Sequence, residues 1–222
     1  MKIPRLHLVT NDRVLAADHF VARATRAMEA GGARVALHLR GPDSGGRLLW
    51  EHGRALAPVA RRTGTLFLVN DRVDVARLLE LGGVHLPEHG LPVSEARALP
   101  PDGAVVGRSL HEPRALEGRE RPDVALVGTL FTTPSHPGRL GAGPGRVTRI
   151  RRANPGLPLV GIGGVTLDRV SSVMAAGAHG VALLRSVWDH ARPEESVAEY
   201  LEAVYGQADP APEPEADHEE DT

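Results

Sequence analysis

Short apolar runs rich in β-branched residues recur along the chain and alternate with stretches of helical periodicity. The runs are apolar at consecutive positions, which is typical of strands covered on both faces. Between them, apolar residues recur at spacings of three or four, for example at Val170, Val173 and Met174, and this predicts amphipathic helices. We predict eight strands, at 5–10, 34–40, 65–70, 83–86, 104–107, 124–128, 159–162 and 180–184.

Strands that alternate with helices indicate a parallel sheet covered by helices. Eight such units in a chain of 222 residues predict an α/β fold, a (β/α)8 TIM barrel. The structural alternative is an open, doubly wound sheet, because periodicity does not distinguish a closed sheet from one with free edges.

The last sixteen residues differ in composition from the rest of the chain. They hold seven of the 28 acidic residues and no Lys or Arg, so residues 1–206 carry 26 bases and 21 acids. Alternating prolines and few apolar residues leave this segment too little surface to bury. We therefore predict a barrel over residues 1–206 and a disordered, acidic, Pro-rich tail over 207–222.

Composition also excludes several classes of function. The chain has no cysteine, which excludes disulfides and Cys-ligated metals, and Lys2 is its sole lysine, which leaves no Schiff-base candidate in the body. No apolar segment reaches the length of a signal peptide or a membrane span, so we expect a cytoplasmic protein with no membrane partner. Dispersed arginines and few aromatic residues argue against nucleic-acid binding. The sequence leaves open whether the protein forms a homo-oligomer.

Polar residues cluster where the predicted strands end. In a TIM barrel the active site lies at the carboxyl ends of the strands and in the loops that follow them. This rule selects as site residues Arg40, Asn70, Asp71, Ser109, His111, Thr133, Ser135, His136, Arg185 and Ser186, with His38 close to the end of the second strand.

The segment "LVGIGGVTLDRV" places Gly163 and Gly164 between an apolar run and a helix. Glycines allow backbone N–H groups to approach an anion closely, and phosphate sites in these barrels are commonly built from the loops after strands seven and eight. Arg185 and Ser186 follow the eighth strand. We therefore predict a phosphate-bearing ligand; the alternative is that the glycines only permit a tight turn.

Six motifs in order carry a resemblance to a known family: "VNDRVDVA", "GVHLP", "VGRSLH", "LFTTPSHPG", "GIGGVT" and "AGAHGVALLRSV". Together they resemble the thiamine phosphate synthase and thiazole tautomerase (TenI) family over about residues 5 to 190. The resemblance implies a (β/α)8 barrel of thiamine biosynthesis whose small-molecule ligand is a thiazole phosphate.

The synthase branch of the family condenses an aminopyrimidine diphosphate with a thiazole phosphate and uses Mg²⁺. Asn70 and Asp71 match its Asn-Asp pair, and Asp71 is the metal ligand that the resemblance implies. The second acidic ligand of the family falls at Gly90, however, and two of its lysines fall at Pro42 and His136. These replacements predict weak synthase turnover, so we keep the synthase as the alternative.

The tautomerase branch isomerises a thiazole carboxylate phosphate by proton transfer and requires no cofactor, and we take it as the main hypothesis. Its usual histidine and acid fall at Thr129 and Gly41. Other groups must then exchange the proton, and the candidates are His136, Asp71, His111 and His38. His7 and His85 lie within apolar strands and are predicted to be structural. A non-catalytic thiazole phosphate-binding protein and an unrelated phosphate-sugar isomerase remain open.

Overall fold

A computed structural model describes residues 2–99, 101–133 and 140–206. Eight parallel strands pair in chain order and the first pairs with the last, so the sheet is a closed barrel. The predicted TIM barrel is confirmed, and the open sheet is excluded. The strands are β1 (Leu6–Val9), β2 (Val35–Leu39), β3 (Leu66–Asn70), β4 (Gly83–Leu86), β5 (Val105–Leu110), β6 (Val124–Val127), β7 (Leu159–Ile162) and β8 (Gly180–Leu183).

Helices follow the strands and cover the barrel. They are α1 (Asp12–Leu15), α2 (Phe20–Gly31), α3 (Gly46–Thr63), α4 (Val73–Leu78), α5 (Val93–Ala96), α6 (Gly145–Ala153), α7 (Leu167–Ala175), α8 (Arg185–Trp188) and α9 (Pro193–Tyr205). Short 3-10 turns occupy Gly32–Arg34 and Gly118–Glu120. Within the described residues, no helix is long and apolar enough to cross a membrane.

The strands separate two apolar clusters. The larger one lies between the barrel and its helices, where Leu8 and Leu37 are fully buried together with Phe20 of α2. The smaller one fills the barrel and includes Ala36 and Leu68. Side chains alternate between the two faces of a strand, so residues two positions after an interior residue also face the interior. His38 and Asn70 therefore share the inner face with these two residues.

Strand β5 extends three residues beyond the predicted end at 107. Arg108, Ser109 and Leu110 continue the ladder opposite residues 125–127 of β6, because ladder bonds involve the backbone and tolerate polar side chains. The buried guanidinium of Arg108 donates to the carbonyls of Glu88 and Leu91, at 2.8 and 3.3 Å. Two nitrogens of an arginine that the sequence alone placed outside the strand thus have acceptors, while its buried Nε has none among the described residues.

Candidate functional site

The carboxyl ends of β3, β4 and β5 bring polar side chains together at one rim of the barrel. In the strand ladders Asn70 lies opposite His85, and His85 lies opposite Gly107. Ser109 is two residues beyond Gly107 on the same face, and its Oγ lies 3.0 Å from Nε2 of His85. Asn70 and Ser109 are both half-buried, so they meet solvent at the barrel mouth.

Asp71 extends this rim with an exposed carboxylate. Its backbone is left-handed, with φ of 59°, and its N–H donates to the carbonyl of His85 at 2.9 Å. Aspartate is one of the residues that tolerate this conformation. Asp71 does not cap the following helix, because Arg72 is the cap residue of α4. The Asp71 carboxylate makes no hydrogen bond within the described chain and is available to a ligand.

Arg40, directly after β2, supplies a positive charge at the same rim. Thr10 fixes its backbone, since Oγ1 of Thr10 accepts from the Arg40 N–H at 2.8 Å. The half-buried guanidinium has no hydrogen-bond acceptor in the part of the chain that the structure describes. Burial lowers the pKa of Arg40, and the nearby carboxylates of Asp12 and Asp43 oppose that shift. A half-buried cation that lacks a hydrogen-bond acceptor suits an anionic ligand.

The histidine that sequence reasoning placed at the rim, His38, lies inside the barrel and is fully buried. Its Nε2 is 2.8 Å from Nδ1 of His7, and Nε2 of His7 is 2.9 Å from the Pro4 carbonyl. A carbonyl only accepts, so His7 carries its proton on Nε2 and receives one from His38. Nδ1 of His38 is left as an acceptor with no partner among the described residues.

Burial keeps these interior imidazoles neutral. Desolvation lowers the pKa of His7 to about 4 and that of His85 to about 3, and it holds the pKa of His38 well below its ordinary value. The prediction that His7 and His85 belong to the protein interior agrees with their burial. His38 therefore lies inside the barrel, where its ring packs against that of His85, and not in a loop at the rim.

Glu88 and His111 form a pair across the loops that follow β4 and β5. One carboxylate oxygen of Glu88 accepts from the His111 backbone N–H at 3.0 Å, and the other lies 2.7 Å from Nδ1 of the ring. Burial alone would raise the pKa of Glu88, but the hydrogen bonds from His111 outweigh burial, and the pKa lies below its ordinary value. Sequence reasoning named His111 but did not pair it with this carboxylate.

The prediction of a phosphate site concerns the loops after β7 and β8. Gly163 and Gly164 have φ of 100° and 64°, and a Cβ atom on Gly164 would lie 2.9 Å from the Thr132 carbonyl oxygen. The backbone N–H groups of Gly164 and Ser186 have no carbonyl partner within the described residues. Ser186 is half-buried and Arg185 is exposed, so N–H groups and a cation are both accessible there.

Three further predicted residues follow β6 in the sequence. Thr133 is buried. Ser135 and His136 lie outside the described residues, as does the tail over 207–222, and the roles given to them remain predictions.

The residues at the rim suit a Mg²⁺ ion that takes most of its ligands from a bound substrate. No group of three His, Asp or Glu side chains within the described residues encloses a metal position. Glu88 is occupied by His111, so it does not replace the acid that is missing at Gly90. Mg²⁺ is often bound by one or two carboxylates together with substrate phosphates, and Asp71 with Asn70 provides such oxygens.

Comparisons with known proteins find relatives that match almost the whole chain. The family model described as thiamine monophosphate synthase matches residues 6–187. A thiamine-phosphate synthase of Thermus thermophilus is 37% identical over 212 residues, which cover 92% of this chain and 98% of the relative. A thiamine-phosphate synthase of Natronomonas pharaonis is 35% identical, and the match covers 88% of this chain and 94% of that relative.

A solved structure, a thiamine phosphate pyrophosphorylase from Pyrococcus furiosus, shares the fold with a TM-score of 0.73 at 24% identity, over 91% of this chain and 96% of its own. The synthase relatives confirm an enzyme of thiamine biosynthesis. They give no support to the tautomerase that we took as the main hypothesis, and they favour the synthase alternative. The chain belongs to the thiamine monophosphate synthase family.

Proposed function

We propose that the chain is a thiamine phosphate synthase, which joins an aminopyrimidine diphosphate to a thiazole phosphate and releases diphosphate. The observation that carries this proposal is the guanidinium of Arg40, which is half-buried and has no acceptor within the described residues. The guanidinium is charged, and the oxygens of a diphosphate can accept the hydrogen bonds that it does not make within the protein. A tautomerase substrate carries no such leaving group.

The proposal assigns the two phosphate-bearing ends of the reactants to different parts of the rim. The N–H groups of Gly164 and Ser186 bind the thiazole phosphate after β7 and β8. Arg40 and Asp71 face the diphosphate after β2 and β3, with Asn70 beside them. When bound there, Mg²⁺ would neutralise part of the diphosphate charge. Pro42 replaces a lysine of the family pattern and Gly90 replaces an acidic ligand. These replacements then reduce turnover without removing the site.

Assays of the purified protein with both reactants and Mg²⁺ test this proposal. We expect thiamine phosphate to form, and we expect the dephosphorylated thiazole to react far more slowly because it lacks the group that the glycine loop binds. Incubation with a thiazole carboxylate phosphate alone tests the tautomerase. Isomerisation of that compound, with no thiamine phosphate from the two reactants, would contradict the proposed function.

A further inference from the structure

The Glu88–His111 pair has a fixed polarity. A carboxylate accepts hydrogen bonds and does not donate them, so Nδ1 of His111 must carry a proton. Nε2 is therefore the atom through which the ring exchanges a proton with a ligand, and it has no partner within the described residues. The side chain of His111 is 38% exposed, against 21% for Glu88. The ring is thus bonded to Glu88 through Nδ1, while Nε2 is left for a ligand.

Neighbouring groups hold Glu88 in place. The guanidinium of Arg108 donates to the backbone carbonyl of Glu88 at 2.8 Å and to that of Leu91 at 3.3 Å, which fixes the loop after β4 against β5. Both oxygens of the carboxylate then bond to one residue, His111. Other charged groups flank the pair. His89 lies 3.9 Å from the Glu88 carboxylate, Arg108 donates to the Glu88 carbonyl, and Glu112, which follows His111 in the chain, forms an ion pair with Arg146 at 3.4 Å.

The position of the pair on the rim suits an anionic leaving group. His111 follows β5, and the ladders place β5 beside β4 and β4 beside β3, whose last residue, Asn70, precedes Asp71. The chain has lost two lysines of the family pattern, at Pro42 and His136, so less fixed positive charge meets a departing diphosphate. A protonated imidazole whose far edge bonds to a carboxylate provides both charge and a transferable proton.

We propose that His111 donates a proton from Nε2 to the departing diphosphate, and that Glu88 is the positioning residue that holds His111 for this step. This inference rests on the proposed synthase function. The bond between the pyrimidine methylene carbon and the diphosphate oxygen breaks, the oxygen keeps the electron pair, and it takes the proton from Nε2. The thiazole nitrogen bonds to the methylene carbon. His111 is left neutral, with Nδ1–H still bonded to Glu88, and regains its proton from water.

Kinetics of three variants test the step. We expect His111→Asn to lower kcat by about a hundredfold, in the range usual for an acid group. Glu88→Gln should lower kcat by roughly tenfold and change KM little, because it misplaces the acid and leaves the substrate sites intact. His89→Asn is the matched control, since its side chain is 92% exposed and lies 3.9 Å from Glu88. We expect the control to react as the unmodified protein does.

The pH profile separates positioning from a merely structural role. The step requires a protonated acid, so activity should fall as the pH rises. Glu88→Gln removes the carboxylate that stabilises the imidazolium and should move this fall to lower pH. The Mg²⁺ concentration for half-maximal rate should stay unchanged. An increase in that concentration would show that Glu88 holds the metal and would overturn its assignment.

Nitrogen NMR of histidine-labelled protein, without substrate or Mg²⁺, gives a readout independent of turnover. Neutral His111, assigned by its loss in His111→Asn, should carry its proton on Nδ1. In Glu88→Gln the amide oxygen must face the backbone N–H, so its NH2 group faces the ring and the proton should move to Nε2. An unchanged tautomer would contradict the positioning role.

The possible failures are distinguishable. Normal turnover by His111→Asn overturns this inference and leaves the proposed function standing. Absence of thiamine phosphate formation by the unmodified protein removes the proposed function, and this step with it, whatever the tautomer of His111.

Discussion

Nδ1 of His7 lies 2.8 Å from Nε2 of His38 inside the barrel, where both side chains are fully buried. This contact joins β1 to β2 below the mouth of the site. The rings are tilted, with centroids 5.0 Å apart, and His85 stacks edge-on against His38 at 5.1 Å. Three imidazoles therefore occupy an interior that barrels usually fill with branched apolar side chains.

The histidine interior predicts a loss of stability in mild acid. The pKa of His7 is lowered from 6.5 to about 4 by burial, so the unfolded chain takes up a proton that the folded protein resists. The free energy of unfolding should therefore decrease as the pH falls from about 6.5 to about 4. Each unit of pKa is worth about 1.4 kcal/mol, which gives roughly 3 kcal/mol from His7 alone.

Urea unfolding at pH 7.5 and pH 5 measures this effect. Carboxylates also titrate in acid, so the matched comparison is His38→Gln, which removes one of the buried imidazoles. We expect the variant to lose less stability between the two pH values than the unmodified protein does, whatever its stability at pH 7.5. An equal loss would mean that the interior histidines do not contribute to the pH dependence.

Removing the charge of Asp71 should impair use of Mg²⁺. Asp71→Asn keeps a residue that tolerates the left-handed backbone, so the fold should persist. We expect turnover to fall by at least about tenfold, with a higher Mg²⁺ concentration for half-maximal rate, since one carboxylate commonly carries much of the protein's share of Mg²⁺ binding. Asp74→Asn, which removes a nearby carboxylate that is paired with Arg72, is the control and should leave the Mg²⁺ dependence unchanged.

Arg40 should determine affinity for the diphosphate. A hydrogen bond to a charged group contributes about 1.5 to 3 kcal/mol, so Arg40→Gln should raise KM for the aminopyrimidine diphosphate by roughly tenfold to a hundredfold. Arg47→Gln is a suitable comparison, because Arg47 is exposed and paired with Glu51 on α3. An unchanged KM in Arg40→Gln would contradict the binding of the diphosphate by Arg40, on which the proposed function depends.

The glycine loop should be sensitive to a single methyl group. Gly164→Ala places a Cβ atom 2.9 Å from Phe131 and Thr132 at a φ of 64°, so we expect weaker binding of thiazole phosphate, measured by calorimetry. Gly103→Ala has a similar φ of 78° with no atom within 4 Å of the new Cβ. It should lose about 1 to 2 kcal/mol of stability from the backbone alone and bind normally. Equal binding by both variants would contradict a phosphate site at Gly164.

The barrel could be predicted from the sequence because strands covered on both faces require consecutive apolar residues, and this pattern is local. The ends of those strands identify the rim, so Asn70, Asp71 and Ser109 could be selected without coordinates. Gly163 and Gly164 could be selected as well, because a glycine pair between an apolar run and a helix is visible in the sequence, and the structure gives both a positive φ.

The contacts between side chains of different strands required the tertiary structure. His7 and His38 are 31 positions apart, and Glu88 and His111 are 23 apart, so strand register decides whether they meet. A shift of one residue in a strand reverses the face of every side chain, and no local pattern fixes that register between neighbours. Sequence determined which chemical groups this barrel offers, while the tertiary structure decided which of them are paired, buried or available to a ligand.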